Sequence, residues 1–473
     1  MSQTTSTETY ADRLAEFSVS LQAEAIPAKV IRQAEVASLD YIGVVLGGGV
    51  TPASAITAEY VLEQNGTGDA TLFGTQSRAP LALAALANGT RAHSIELDDH
   101  EAHMRSKVHS AAVIATAAWA AAEKRGNVTG AEFLTAIIVG YDVIGRTSGA
   151  TSYPDFLGRE KGFHTTPLFG GFAAAATAGR LLGLTAEQLS NAFGIAGSMC
   201  SGLQETVRVG AMVKPLHAGW AAHNGITAAL LAAKGYTGPR TIFEGKKGFF
   251  QSYCGEGNYD LSVIDRDFGV DFDISLNMYK PYACGGGIHP TLTAVDELRN
   301  KYQFDYADIE RVHVRTSKHV VDFFATPWEA KAAPASGPHG QHALPYAVAA
   351  LIVDGVALLD QFTNDAVKRP HVIELSRKVS VEADPSIVSD DPEDEPAGVA
   401  IHLADGTVLE TEARGGKGSL SVPMSEAELI EKFHRLADPV VGLDVADATE
   451  ERLLALAGDP NVADIPAGLY RRG

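Results

Sequence analysis

The segment AHSIELDDHEAHMRSKVH, Ala92 to His109, places four histidines and four carboxylates in eighteen positions, with Arg105 and Lys107 just before its last histidine. If the stretch is helical, Glu96 and His100 are four residues apart, as are Asp99 and His103, so each pair shares a face. Three chemistries compete for such a pattern. The ligand types suit a metal ion, but no H-E-x-x-H signature orders them. A charge-rich helix end facing solvent needs no function at all. Histidine beside carboxylate also describes a general acid/base site, the reading that the rest of the chain makes most concrete.

Its support comes from single cations set in apolar or glycine-rich sequence: His164 in KGFHTTPLFGG, Lys214 and His217 in GAMVKPLHAGW, and Lys280 and His289 in YKPYACGGGIHP. Taken singly, each reads as a cap, a pairing partner or a snorkelling side chain. Gly285, Gly286 and Gly287 offer backbone N–H donors but match no phosphate-binding or dinucleotide pattern. No G-x-S-x-G elbow marks a serine nucleophile.

The elements that must carry these groups fall into two textures. From about Thr9 to Gly238, Ala- and Leu-rich segments with helical spacing alternate with Gly punctuation, as in APLALAALANG, SAAVIATAAWAAAEKRG and GAEFLTAIIVGYDVIG. Their small-residue faces predict close helix contacts. After about Asn277, IERVHVRTS, RKVSVEAD and VAIHLADGTVLETEA alternate with period two, the last around an Asp405-Gly406 hairpin. Helical patterns recur between these strands at HPTLTAVDELRNKY, LPYAVAALIVDG and NDAVKRPHVIELS, and the acidic SDDPEDEPAG reads as a surface loop. Ser425 and Glu428 form a capping box for a returning helix. The fold class expected is therefore mainly α with an α+β lid. Residues 1–276 and 415–473 form a large all-helical domain from both chain ends, and residues 277–414 form the smaller α+β domain.

With 473 residues, 45% hydrophobic and 20% charged, the chain is sized and composed for a folded enzyme. A net charge of −20 repels nucleic acid and anionic membranes, so any anionic substrate needs a local cationic pocket. Three cysteines without a C-x-x-C spacing suggest neither a disulfide framework nor a cysteine metal site. No signal segment or membrane span is expected, and a cytoplasmic location follows.

Taken in order, NGTRAHSIELDDH, HSAAVIATA, GFHTTPLFGGFAAAATAGRLLGL, MVKPLHAGWAAHNGITAALLAAKGYTGP, KPYACGGGIHP, LPYAVAALIVDG and PMSEAELIEKF resemble the MmgE/PrpD family over nearly the whole chain. That family comprises 2-methylcitrate dehydratases, cis-aconitate decarboxylases and iminodisuccinate epimerases. The resemblance implies a homodimer of two-domain subunits, no organic cofactor and no metal. It carries over Glu96, His109, His164, Lys214 and Lys280 as active-site positions. His100 stands where decarboxylase-like members have threonine, Ser110 where a proline follows the histidine, and VRTSKHVVDFF offers no equivalent of a lid tyrosine.

The function expected is a lyase, dehydratase-like, abstracting a proton beside a carboxylate of a small di- or tricarboxylate. Lys214 and Lys280 bind substrate carboxylates, and His109 and His164 are acid and base. Glu96 or Asp98 orients a histidine, His100 donates to substrate, and Asp99 caps or pairs within its own helix. Epimerisation and decarboxylation need the same groups. A metal-dependent hydrolase built on the His93–His109 cluster, or a non-catalytic scaffold, are the alternatives of other classes.

Overall fold

The computed structural model describes residues 8–64, 66, 68–101, 107–151, 156–387 and 395–470. The anticipated Asp99–His103 pairing and most of the acidic SDDPEDEPAG loop lie outside the described residues. The structure is mainly helical with a smaller α+β part.

The helices that frame the site are α1 (Ala28–Gly47), α2 (Leu81–His93), α3 (Ala111–Arg125), α4 (Gly130–Gly149), α5 (Thr165–Leu181) and α6 (Val213–Ala233). Their starts follow from local chemistry. At α4, Thr129 Oγ1 accepts the Glu132 N–H (3.3 Å) while Glu132 accepts the Thr129 N–H (2.9 Å), a capping box. Helix α6 runs through the middle, packed on α2 and α5. Small residues make that approach possible: a Cβ on Gly89 would lie 2.7 Å from Gly219 Cα, and one on Gly219 only 2.2 Å from Leu86 O. Alanine at either position would push α2 and α6 apart.

The α+β part holds α7 (His289–Lys301), α8 (Leu344–Asp354) and a four-stranded sheet. Two further strands are β1 (His100–Glu101) and β2 (Asn277–Met278), which pair with each other. The sheet comprises β3 (Ile309–Thr316), β4 (Val379–Ala383), β5 (Ala397–Leu403) and β6 (Val408–Ala413), in the order β4-β3-β5-β6. Strand β4 runs parallel to β3, while β5 is antiparallel to both β3 and β6. Gly406, with φ 86°, turns the β5–β6 hairpin. The helix expected from NDAVKRPHVIELS breaks instead into a short 3-10 turn and a helix that begins at Pro370, whose ring cannot continue the preceding turn.

Helix α9 (Glu426–Val441) starts at the expected Ser425–Glu428 capping box. Its Phe433 and Ala437 join the large apolar core of the helical part, whereas Leu436 joins the second core, formed mainly by residues between Tyr282 and Ala413. Val44, Ile95 and Leu97 also reach into that second core. The loop that follows α2 therefore lies where the two cores meet. Among the described residues no single helix is long and apolar enough to cross a membrane.

Candidate active site

The segment after His93 is not a helix. Helix α2 ends there, Glu96 has φ 55°, and His100 and Glu101 form the short strand β1. The shared helical face expected for Glu96 and His100 is thus replaced by a pinned loop. Arg91 donates to Val45 O (2.6 Å) and Leu46 O (3.0 Å). Lys432 on α9 donates to Leu97 O (2.6 Å) and pairs with buried Asp40 (2.7 Å). Arg91 thus ties the end of α2 to α1 and Lys432 satisfies a carbonyl of the loop itself, so an unfavourable left-handed glutamate persists between them. Strand pairing of His100 with Met278 then brings the 277–280 segment alongside.

Asp98 and Asp99 point to different tasks. Asp98, 2% exposed, contacts Nδ1 of His93 (2.7 Å) and Nδ1 of His109 (3.2 Å). Burial would raise its pKa, yet the two imidazoles hold it well below the usual carboxylate range. Asp99 accepts the Ala111 N–H (2.9 Å) and the Tyr141 hydroxyl, so it caps the start of α3 rather than a helix of its own. Burial pushes its pKa up to about 7 against those two hydrogen bonds.

Four histidines form a buried chain. His93 and His109 ring centroids are 4.4 Å apart, His93 stacks on His164 at 5.8 Å, and His164 Nδ1 meets His217 Nδ1 at 2.9 Å. The backbone N–H of His109 donates to Thr166 Oγ1 (3.0 Å), which ties the start of α3 to α5. Burial lowers the pKa of His109 to about 3, although Asp98 opposes the shift and Lys280 adds to it. Burial and Lys214 hold His164 well below the ordinary range, and burial and Lys280 do the same for His100. These shifts favour the neutral forms of His100, His109 and His164 at pH 7 in the free protein.

Opposite the histidines stands a carboxylate between two ammonium groups. Glu96 pairs with Lys214 and with Lys280 (3.1 Å), and His342 Nε2 lies 3.8 Å away. Burial alone would raise the Glu96 pKa; Lys214 and Lys280 override it and hold the group well below its usual value. Burial lowers Lys280, but Glu96 more than offsets this and leaves it above the ordinary lysine value. Lys214, at the start of α6, is lowered by burial despite Glu96. Glu96 contacts no histidine of the His93–His217 chain; the carboxylate behind those rings is Asp98.

Glu96, His100, His109, His164, Lys214 and Lys280 all line one cavity of about 170 Å³, whereas Asp98 and Asp99 lie behind its wall. The three glycines also line it. A Cβ on Gly285 would meet Phe324 at 2.4 Å and one on Gly286 would meet His100 Nε2 at 3.3 Å, so the triplet makes room for neighbours. His342, Phe324 and His319 complete the α+β wall. Sequence reasoning missed His342, Tyr141 and the contacts of His93. His342 follows Gly337-Pro338 in a loop with no spacing relation to the other groups, and Tyr141 lies inside an apolar helix pattern.

The helical scaffold sets imidazoles, which can exchange protons, opposite two buried lysines, which can hold negative charge. Family comparison agrees: the MmgE/PrpD N-terminal domain matches residues 12–262 and the MmgE/PrpD C-terminal domain matches residues 282–456. The chain belongs to the MmgE/PrpD family, as an enzyme of the dehydratase and decarboxylase type. It is 30% identical over 463 residues to the cis-aconitate decarboxylase-like protein oryM of Aspergillus oryzae, covering 93% of each chain. It is 28% identical over 452 residues to a cis-aconitate decarboxylase of Aspergillus terreus, covering 92% of this chain and 91% of the relative. The mouse cis-aconitate decarboxylase is 26% identical over 436 residues, covering 89% and 85% respectively.

Proposed function

We propose that the protein is a cofactor-independent lyase that removes CO₂ from an unsaturated tricarboxylate of the cis-aconitate class. The convergence of Lys214 and Lys280 on the cavity that also exposes His109 and His164 supports a lyase acting on a polycarboxylate, and the likeness to cis-aconitate decarboxylases along most of the chain favours loss of CO₂. Loss of CO₂ leaves the bonding electron pair on a carbon framework that still bears carboxylates. Coulomb repulsion makes that charge costly unless cations stand nearby in a site of low dielectric. Lys214 and Lys280, 9% and 1% exposed, supply them.

The electron pair moves through the double bond, and a proton placed on the far carbon completes the product. One proton is consumed per turnover. His109 is assigned as its donor, because Asp98 behind it favours the imidazolium form. A bound trianion opposes the burial that keeps the ring neutral in the free protein. His164, backed by His217, is the neutral partner that returns protons from solvent. Glu96 keeps the two lysines charged and aimed, and a substrate carboxylate shares them with it.

Dehydration of a hydroxy-tricarboxylate is the second reading, favoured by His100. Its imidazole lines the cavity, with its ring centroid 6.1 Å from that of His109, and supplies a second titratable group for a leaving hydroxyl. Proton NMR in D₂O with cis-aconitate, citrate and methylcitrate tests both. New alkene signals with deuterium on carbon and release of CO₂ are expected from cis-aconitate, and alkene signals without CO₂ from a hydroxy acid would select dehydration. Lys214→Met and Lys280→Met should each lower kcat/KM by roughly 10²–10³-fold. Silence across the panel, or turnover unchanged in both variants, sinks the reading.

A further inference from the structure

Three imidazoles from separate segments turn ring nitrogens toward one another: His93 at the end of α2, His109 before α3 and His164 before α5. One ligand atom from each lies within 4.8 Å of the other two. In every ring Nδ1 is already engaged on the outer side. His93 uses it for Asp98 (2.7 Å), His109 for Asp98 (3.2 Å) and Asp99 O (3.1 Å), and His164 for His217 (2.9 Å). That leaves Nε2 as the available donor atom of each ring. His93 Nε2 is buried with no hydrogen-bond partner, a cost that native interiors rarely carry without a ligand or a function.

We propose that His93, His109 and His164 form a binding site for a zinc-type divalent transition ion, and that its occupancy switches the enzyme off. Zinc binds imidazole nitrogen at about 2.0–2.1 Å, which places tetrahedral ligands roughly 3.3 Å apart. One ring nitrogen of each histidine already lies within 4.8 Å of the other two, so ring rotation and small shifts in side-chain torsions that close about 1.5 Å bring such a set to that spacing. Asp98 supplies the outer carboxylate that metal-bound histidines characteristically hold, and it does so for two of the three ligands. Three nitrogen donors select zinc, cobalt, nickel or copper over magnesium or calcium. His109 and His164 line the cavity, so a fourth position faces it and accepts water or a substrate carboxylate. Lys214 and Lys280 share the single carboxylate of Glu96, so the ion binds against one net positive charge, which the Asp98 carboxylate behind His93 and His109 offsets.

Metal binding stands on this geometry alone. Inhibition rests on the reading that His109 and His164 move the protons, since an ion on their Nε2 atoms takes the lone pairs that chemistry requires.

Chelator-treated full-length protein is titrated with Co²⁺, following visible absorption, and then with Zn²⁺ as competitor by calorimetry. One ion per chain is expected, with the intense ligand-field absorption of a four-coordinate site and displacement by Zn²⁺. Asp98→Asn, which keeps shape and volume, should weaken binding by about 10–100-fold. His93→Gln should abolish the absorption, with the melting temperature of the metal-free variant reporting its fold. Should His93→Gln fail to fold, Asp98→Asn carries the test. No stoichiometric binding, or binding indifferent to Asp98→Asn, overturns the site. Where the apoenzyme turns over, Zn²⁺ should remove activity in proportion to occupancy and EDTA should restore it; a zinc-loaded enzyme as fast as the apoenzyme overturns the switch. An apoenzyme inactive on every substrate counts against the proposed function and not against the metal site.

Discussion

Replacing Asp98 by asparagine tests whether a carboxylate outside the cavity sets the chemistry within it. Asp98 lies 3.2 Å from Nδ1 of His109 and lines no part of the cavity. At an effective dielectric of about 20, a unit charge at that distance stabilises an imidazolium by roughly 5 kcal/mol. The amide keeps a hydrogen-bonding oxygen and recovers part of this, so the net loss is about 3–4 kcal/mol, or roughly 10²–10³ in kcat. KM should stay within a few-fold, because the substrate contacts at Lys214 and Lys280 are untouched. The limb of the kcat profile that belongs to His109 should move to lower pH, since the charge that favours its protonated form is gone. Steady-state kinetics from pH 5 to 9, with thermal melts confirming the fold, make the assay. A kcat within threefold of the parent, with an unshifted profile, would refute the assignment of His109 and Asp98 as a pair.

Three further outcomes follow from buried polar contacts. Lys432→Met strands Asp40 without its cation and should cost about 3–5 kcal/mol in urea unfolding; adding Asp40→Asn should recover most of it. Tyr141→Phe removes one of the two donors to the Asp99 carboxylate and should cost about 1–3 kcal/mol, read from the same transition. Stability should also fall as pH drops from about 6.5 toward 4. Burial lowers His109, His289 and His342 to about 3 and His217 to about 4, while the unfolded chain titrates near 6.5. Below that value the unfolded state binds more protons, so each ring withdraws up to about 1.4 kcal/mol per pH unit. Calorimetric melting temperatures that stay flat between pH 7 and 5 would contradict the buried, neutral state of these rings.

The sequence by itself carries the helical body, the strand-rich region after Asn277, the β5–β6 hairpin and the α9 capping box. Each is written in local periodicity or in a turn residue, and local rules read it directly. It also carries the residue types of the chemistry, since His109, His164, Lys214 and Lys280 stand out as polar groups in apolar surroundings. Their grouping in one cavity is a tertiary fact, because residues separated by more than 100 positions, such as Glu96 and Lys214, have no local relation that a pattern can record. The roles of the acidic motif were decided the same way. Glu96 and His100 look like helical neighbours by spacing, but α2 ends at His93, Lys432 takes the loop carbonyl of Leu97 from a distant segment, and Glu96 meets the two lysines. Asp98 is left behind the histidines, Asp99 caps α3 from twelve positions upstream, and His342 arrives from the α+β part with no sequence signal at all. Periodicity fixes which face of an element is apolar; which charges meet depends on the loops between elements, whose course only the packed whole determines.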